Sequence, residues 1–181
     1  MRPYSREGID MATYKLLEND NLALTVPLSG CSEDLDRQEL KDNLIETMKD
    51  LNGIGLSASQ CGVMERAFVM YSDVKKSEIT ACFNPNIVKY SPETIIMDEG
   101  CLTYPGLWLK VRRPVFVACT FEDENGELSE VQMYGLESRI FQHEYDHMEG
   151  TNFTAKVSKL KLTRGKKRVE KVRKKSMISM T

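Results

Sequence analysis

The two histidines of the chain, His143 and His147, lie four positions apart, with Glu144 directly after the first. Residues four apart in an α-helix share one face, one turn from each other. The His-Glu-x-x-His spacing therefore lets both imidazoles bind a single divalent metal ion, with the glutamate beside the ion as a candidate general base. The alternatives are two buried, hydrogen-bonded histidines or a metal ion that only stabilises the fold.

A catalytic metal of this type usually has a third protein ligand and keeps a fourth position for water. Since the chain has no third histidine, the third ligand has to be a cysteine or a carboxylate. Cys101 is the strongest candidate, because Gly100 lets the backbone approach a ligand closely and Pro105-Gly106 then turns the chain. The alternative is a buried cysteine beside a tight turn.

Residues 53–60 form a third candidate segment, with two glycines close together and Gln60 at its end. The glycines indicate backbone that packs near a ligand or another strand, and the Gln60 amide could polarise a carbonyl. The segment lacks the Gly-Lys-Ser/Thr of a phosphate-binding loop. Taken alone, an ordinary loop is the simpler interpretation.

In this order the three segments resemble the signature motifs of the peptide deformylases. The family pattern is Gly-x-Gly-Leu-Ala-Ala-x-Gln, Glu-Gly-Cys-Leu-Ser and Gln-His-Glu-x-Asp-His, and the matching segments here are residues 53–60, 99–103 and 142–147. Ser57 replaces an alanine of the first motif, and Thr103 replaces the serine of the second. The resemblance extends from about residue 44 to 153 and is weak over the first thirty residues.

The resemblance implies a hydrolase that removes the N-formyl group from the N-terminal methionine of newly made polypeptides and releases formate. It assigns one divalent metal ion to Cys101, His143 and His147. Fe(II) is the native ion that it implies, and Zn, Ni and Co are ions that such a site also accepts.

The resemblance also implies the roles of the catalytic groups. Glu144 takes a proton from the attacking water and passes it to the leaving amine. The Gln60 side-chain amide and the Leu102 backbone N–H donate hydrogen bonds to the formyl oxygen, where negative charge develops.

A deep and narrow apolar pocket suits the flexible, unbranched methionine side chain of such a substrate. We expect the peptide to pair with backbone near two of the glycines as an added strand. The expected substrate-binding residues are Ile54, Gly55, Gly100, Leu136, Ile140 and the ring of His143.

The helix that must position the histidines is predicted by apolar periodicity. Leu136, Ile140, His143 and His147 fall on one stripe of a 3.6-residue period. Gly150 follows the last turn, where a left-handed C-terminal cap is common. Asp146 on this helix could orient a partner or only contact solvent, and Arg113 is a possible ion-pair partner for it.

The other elements indicate an α+β fold, with antiparallel or mixed β-sheets packed around this central helix. Residues 32–51 predict an amphipathic helix with Ser32 as its N-cap, and a loop follows at residues 52–62. A hairpin turn is predicted at residues 123–126. The predicted strands cover residues 66–71, 80–90, 94–97, 115–121 and 127–134.

Length and composition place these elements in one catalytic domain, residues 1–155, followed by a basic tail, residues 156–181. No stretch of 18 apolar residues occurs, so a membrane span is not expected. Residues 1–10 are too polar for a secretory signal. Five widely spread cysteines favour a reducing compartment, so we expect a cytoplasmic protein; an organelle or a phage-infected bacterial cytoplasm would fit equally.

The tail is strongly positive. Eleven of the 25 Lys and Arg residues, but one of the 27 acidic residues, fall between positions 156 and 175. Such a run is either a solvated helix or a surface that binds polyanions, here the ribosome or its RNA. We expect Gly165 to interrupt the tail, with Val169 and Val172 forming a small apolar seam beyond it.

Two other classes of function stay open from the sequence. A zinc peptidase of the His-Glu-x-x-His type would share the metal and the base but would need a distant Glu or His as third ligand. A non-enzymatic RNA-binding or ribosome-binding protein would use the metal for structure alone. Cleavage of a peptide chain or RNA binding without formate release would distinguish these classes from a deformylase.

Overall fold

The computed structural model describes residues 13–73 and 77–178, so the expectation for residues 1–10 lies outside the described residues. Its three helices are α1 (Arg37–Asp50), α2 (Gly135–Met148) and α3 (Lys159–Ile178). Its seven strands are β1 (Gly55–Ser57), β2 (Ala67–Asp73), β3 (Glu78–Tyr90), β4 (Thr94–Glu99), β5 (Leu109–Pro114), β6 (Phe116–Glu122) and β7 (Leu128–Tyr134).

The strands form two antiparallel sheets. The larger has the order β1-β2-β3-β6-β7, and β4 pairs with β5 in a separate two-stranded ribbon. Five of the predicted strands are found with shifted ends, and the turn at residues 123–126 joins β6 to β7 as expected. This arrangement confirms the predicted α+β class.

Helix α2 lies between the sheet and the ribbon. On the sheet side Phe141 packs edge-on against Phe68 of β2, with ring centroids 5.2 Å apart. On the ribbon side Arg139 donates hydrogen bonds to the carbonyls of Ile95 and Val111. Because both faces are covered, the two histidines are held in the interior of the molecule, as the periodicity predicts. Gly150 ends the helix with a φ of 64°, as expected for a left-handed cap.

Two strands and one helix start were predicted wrongly. The loop expected at residues 52–62 contains β1, and β5 was not predicted. Helix α1 begins at Arg37 instead of residue 32, because the Asp36 side chain caps the Glu39 N–H. Ser32 is not the N-cap, since its N–H and hydroxyl both donate to the Glu65 carboxylate.

The basic tail also differs from the prediction, because α3 continues through Gly165 without a break. Gly165 is buried, and a Cβ atom at this position would lie 2.9 Å from side-chain atoms of both Leu107 and Leu109. Close packing therefore explains a glycine within this helix. Val169 packs on the same cluster, whereas Val172 is 62% exposed and takes no part in the expected seam.

All five cysteines are free thiols. Within the described ranges, the helices are too short or too polar to cross a lipid bilayer. The division of the chain at residue 155 stays a prediction.

Candidate metal centre and active site

The structure brings Cys101, His143 and His147 together, and their ligand atoms all lie within 4.8 Å of one another. The Cys101 Sγ and His147 Nε2 atoms are 3.4 Å apart. Two ligand atoms on one tetrahedral ion are separated by about 3.5 Å when their bonds are typical of zinc-like ions. A thiolate and two imidazoles at this spacing therefore fit a single divalent ion, with two ligands from α2 and one from the loop after β4.

Glu99 orients the first histidine. Its Oε2 atom lies 3.1 Å from His143 Nδ1, which leaves Nε2 of that ring to face the ion. Such a carboxylate partner fixes the tautomer and the orientation of a metal-binding imidazole. Sequence analysis placed Glu99 in the second motif but gave it no role.

Two buried arginines hold Glu99 in place. Arg113 donates to both carboxylate oxygens at 2.7 and 2.9 Å, and Arg139 Nη1 donates to Oε1 at 2.6 Å. Burial disfavours the charged form of Glu99, but the hydrogen bonds from His143 and the two arginines outweigh it and lower the carboxyl pKa. Glu99 therefore stays ionised and can accept the His143 N–H.

The possible ion pair between Arg113 and Asp146 is present, with Nη1 2.8 Å from Oδ2 and both side chains buried. The second Asp146 oxygen contacts Lys156 Nζ at 3.0 Å. Burial alone would lower the Arg113 pKa, but Glu99 and Asp146 raise it. Arg113 thus links β5 to α2, which is a structural role. No role in the chemistry was predicted for it from the sequence.

The Glu144 side chain is buried, and it lines the same cavity as Cys101 and His143. Among the described residues its Oε2 atom has no hydrogen-bond partner, which is costly for a buried oxygen and typical of a group that acts on a ligand. Burial raises the Glu144 pKa to about 7, although the charges of His143 and Arg113 lower it. A carboxylate with such a pKa is suited to take up and release a proton near neutral pH.

The Gln60 amide has a fixed orientation beside the same centre. Its Nε2 donates to Thr103 Oγ1 at 2.8 Å and to Cys101 Sγ at 3.2 Å. Its Oε1 accepts from the Ser57 N–H and hydroxyl, both at 3.0 Å. The two residues that depart from the family pattern, Ser57 and Thr103, thus hold the amide in place, with one N–H directed at Thr103 and the other at Cys101 Sγ.

A cavity of about 330 Å³ opens next to these groups, and Cys101, Leu102 and Glu144 contribute to its wall. Five of the six expected substrate-binding residues line it: Ile54, Gly100, Leu136, Ile140 and His143. Gly55 instead packs against α2, where a Cβ atom would lie 2.4 Å from Glu144 Oε1 and 2.9 Å from Ile140 Cγ2. The lack of a side chain at Gly55 therefore leaves space for the Glu144 carboxylate.

Trp108 and Arg139 are among the residues of this wall that were not predicted from the sequence. Trp108, the single tryptophan of the chain, is 62% exposed and lies over Gly100, where a Cβ would be 3.2 Å from its ring. Its sequence feature was a single tryptophan soon after the cysteine motif, which could have indicated a place in the site. Arg139 gave no signal, because a helical arginine one turn before a histidine is usually solvated.

Comparison with known proteins gives consistent results over most of the chain. The family model described as polypeptide deformylase matches residues 17–163. A peptide deformylase of Novosphingobium aromaticivorans is 34% identical over 172 residues, which cover 83% of this chain and 90% of that protein. A peptide deformylase of Thermotoga neapolitana is 40% identical over 109 residues, which cover 60% of this chain and 65% of that protein.

Two solved structures share the architecture. The peptide deformylase of Synechococcus elongatus in complex with actinonin has a TM-score of 0.81 and 28% identity, with 87% of this chain and 88% of that chain covered. A plant peptide deformylase has a TM-score of 0.80 and 31% identity, with 92% of both chains covered.

Proposed function

Because the chain belongs to the polypeptide deformylase family, it is a metal-dependent hydrolase that removes the N-formyl group from newly made polypeptides, and we propose that Glu144 is its general base. The observation that carries this proposal is the Glu144 Oε2 atom, which has no hydrogen-bond partner in the described part of the chain and belongs to the residue directly after the first histidine of the Cys101, His143 and His147 cluster. Cys101, His143 and Glu144 line one mostly apolar cavity, which can take a methionine side chain.

Cys101, His143 and His147 would hold the metal ion. When bound, a divalent ion at such a site polarises a carbonyl and lowers the pKa of water. Fe(II) as the native ion, with Zn, Ni or Co accepted, is compatible with a thiolate and two imidazoles. Glu99 fixes the His143 ring, so the site does not have to reorganise when the ion enters.

Glu144 moves the proton in the proposed reaction. Its carboxylate takes a proton from the attacking water, and a C–O bond forms at the formyl carbon. The carboxylic acid then gives the same proton to the amide nitrogen as the C–N bond breaks. The second proton of the water leaves on the formic acid and passes to the released amine, so the products are formate and a peptide with a protonated N-terminal amine, and atoms and charges balance.

Gln60 and the Leu102 N–H are proposed to stabilise the negative charge that develops on the formyl oxygen. The support for Gln60 is its fixed amide, whose Nε2 lies 3.2 Å from Cys101 Sγ. Leu102 follows this cysteine and lines the cavity. Ser57 and Thr103 hold the Gln60 amide in place, so the N–H that is directed at Cys101 Sγ is the one proposed to turn to the formyl oxygen as charge develops.

Replacing Gln60 with leucine tests this role. We expect kcat for formyl-Met-Ala-Ser to fall about a hundredfold, since one donor to a developing oxyanion is lost. Metal content should stay near one ion per chain, because Gln60 is not a ligand. Steady-state kinetics with metal analysis measures both, and a loss of less than about threefold at full metal content would contradict the role.

The substrate pocket is proposed to bind the formylated methionine through Ile54, Leu136, Ile140, Gly100 and the His143 ring. Its mostly apolar wall and its volume of about 330 Å³ support this assignment. Backbone at Gly55 and Gly100 is proposed to pair with the peptide as an added strand. Backbone pairing gives little selectivity for the side chains beyond the methionine, as required of an enzyme that acts on many new chains.

The function is tested by formate release from formyl-Met-Ala-Ser with anaerobically prepared, metal-loaded protein. Formate and free Met-Ala-Ser are the expected products. A peptidase of the His-Glu-x-x-His type would instead cut the chain of an unformylated peptide, and Cys101 as third donor does not favour that class. Chain cleavage without formate release would overturn the proposal.

The basic face of α3 is proposed to contact the ribosome or its RNA, and the protein is proposed to act in the cytoplasm, where formylated chains emerge. The support is charge: the exposed surface of α3 carries a cluster of four lysines, Lys167, Lys171, Lys174 and Lys175. Glu170 offsets one of them through a 2.7 Å contact with Lys174. Binding through such a surface would be mainly electrostatic.

Changing these four lysines to glutamine should weaken cosedimentation with ribosomes, most clearly at low salt. Up to about four phosphate contacts would be lost, so the remaining binding should depend less on salt. Turnover of formyl-Met-Ala-Ser should be unchanged, because the lysines do not line the catalytic cavity. Equal cosedimentation of the variant and the original chain across the salt series would contradict the contact.

A further inference from the structure

The loop that joins β4 to β5, residues 100–108, contributes to two cavities at once. Cys101, Trp108 and residues 104–107 line the wall of the catalytic cavity. Tyr104, Pro105 and Leu107 also line a second cavity of about 260 Å³ against α3, at the back of the loop. A displacement of α3 would therefore also displace the side of the loop that faces the substrate.

The first half of α3 packs directly on the back of this loop. Gly165 is buried where a Cβ would meet Leu107 Cδ1 and Leu109 Cδ2, both at 2.9 Å. Real Cβ atoms essentially never come closer than about 3 Å to such atoms, so a larger residue forces either the helix or the leucines to move. Glycine is less favourable than alanine inside a helix, but the close approach to the two leucines requires it here.

Further contacts extend this packing along the loop. A Cβ on Gly106 would lie 3.8 Å from Val169 Cγ1, and Arg173 Nη2 donates to the Pro105 carbonyl at 3.4 Å. Within the loop, the N–H groups of Leu107 and Tyr104 donate to the carbonyls of Tyr104 and Cys101, at 3.0 and 2.9 Å. These contacts form an unbroken path from α3 to Cys101.

We propose that α3 positions the β4–β5 loop for peptide binding, with Gly165 as the residue that allows the helix to approach Leu107 and Leu109. The inference rests on the deformylase function and adds a positioning residue to it. In this arrangement the position of α3 sets how Trp108 lies over Gly100, and so the width of the substrate cavity. Gly165 acts through the loop and does not itself line that cavity.

The test compares Gly165→Ala and Gly165→Leu with a matched control on the exposed face of the same helix, Thr163→Leu. We expect Gly165→Leu to raise KM for formyl-Met-Ala-Ser about fivefold with kcat within about twofold, since binding and not chemistry is disturbed. Gly165→Ala should raise KM by a smaller factor, and it provides the test if the leucine variant does not fold. Thr163→Leu should leave KM unchanged.

Rescue and a spectroscopic signal separate positioning from simple stability. Leu109→Ala leaves space for the leucine side chain that Gly165→Leu introduces. The KM of the double variant should therefore return most of the way to that of the original chain. Trp108 is the single tryptophan, so its emission reports the loop directly. We expect its emission to shift in the Gly165→Leu protein, measured metal-loaded and without peptide, and to return in the double variant.

A lower melting temperature with unchanged KM and unchanged Trp108 emission would overturn the inference, because α3 would then only stabilise the fold. Formate release by the original chain tests the deformylase function separately. The emission measurement needs no substrate, so it decides the positioning role whatever the outcome of that assay.

Discussion

A Glu144→Gln enzyme is expected to fold and bind its metal ion but to release formate about a thousandfold more slowly than the original chain, within the range typical of a lost general base. Glutamine keeps the size of the side chain and removes the group that accepts the proton. The neutral amide also suits the buried position, where burial raises the Glu144 pKa to about 7. We therefore expect the melting temperature to stay the same or to rise.

The measurement is kcat for formyl-Met-Ala-Ser at matched metal content, with the melting temperature as the check on folding. The control is Glu137→Gln, the same change in the first turn of α2 and outside the catalytic cavity. It should retain nearly full activity. A Glu144→Gln enzyme that retained more than a tenth of the turnover at full metal content would show that another group moves the proton.

Cys101→Ala is expected to abolish turnover by removing one of three ligands. Loss of a supporting residue alone typically costs ten- to a hundredfold in metal affinity, so loss of a ligand should exceed about a hundredfold. The two histidines remain on α2, and His143 keeps its hydrogen bond to Glu99. We therefore expect a folded protein that loses its ion on dialysis.

Metal analysis after dialysis, together with formate release, measures this effect. Cys31→Ala is the matched control, because Cys31 is a half-buried thiol that donates to the Arg66 carbonyl, away from the three ligand atoms. It should retain one ion per chain. Full metal content in the Cys101→Ala protein would assign the third ligand to another residue.

The elements that carry the chemistry were predictable because their signals are local. The helix around His143 and His147 follows from one apolar period, and its C-terminal cap follows from Gly150. Cys101 was a candidate from its neighbouring glycine and the turn after it. The structure places Cys101, His143 and His147 together, although they come from segments about forty residues apart in the sequence.

The features that were missed depend on contacts between distant segments. Arg139 and Glu99 meet only because the β4–β5 ribbon lies across α2, and no periodicity in either segment shows this. Strand β5 contains the buried Arg113, whose charge conceals the alternation typical of a half-buried strand. Strand β1 has three residues, too few for a pattern. Gly165 looked like a helix breaker because its partners, Leu107 and Leu109, lie almost sixty positions earlier.

Over residues 13–73 and 77–178, the ribbon of β4 and β5 shares no strand pairing with the larger sheet. The loop between its two strands carries Cys101, while both imidazoles belong to α2. An ion held by both parts is a cross-link between them, and part of its binding free energy holds the ribbon in place. Chelation should therefore leave the sheet protected and let the ribbon amides exchange with deuterium first. The metal would then set the resistance of this region to proteolysis as well as the chemistry.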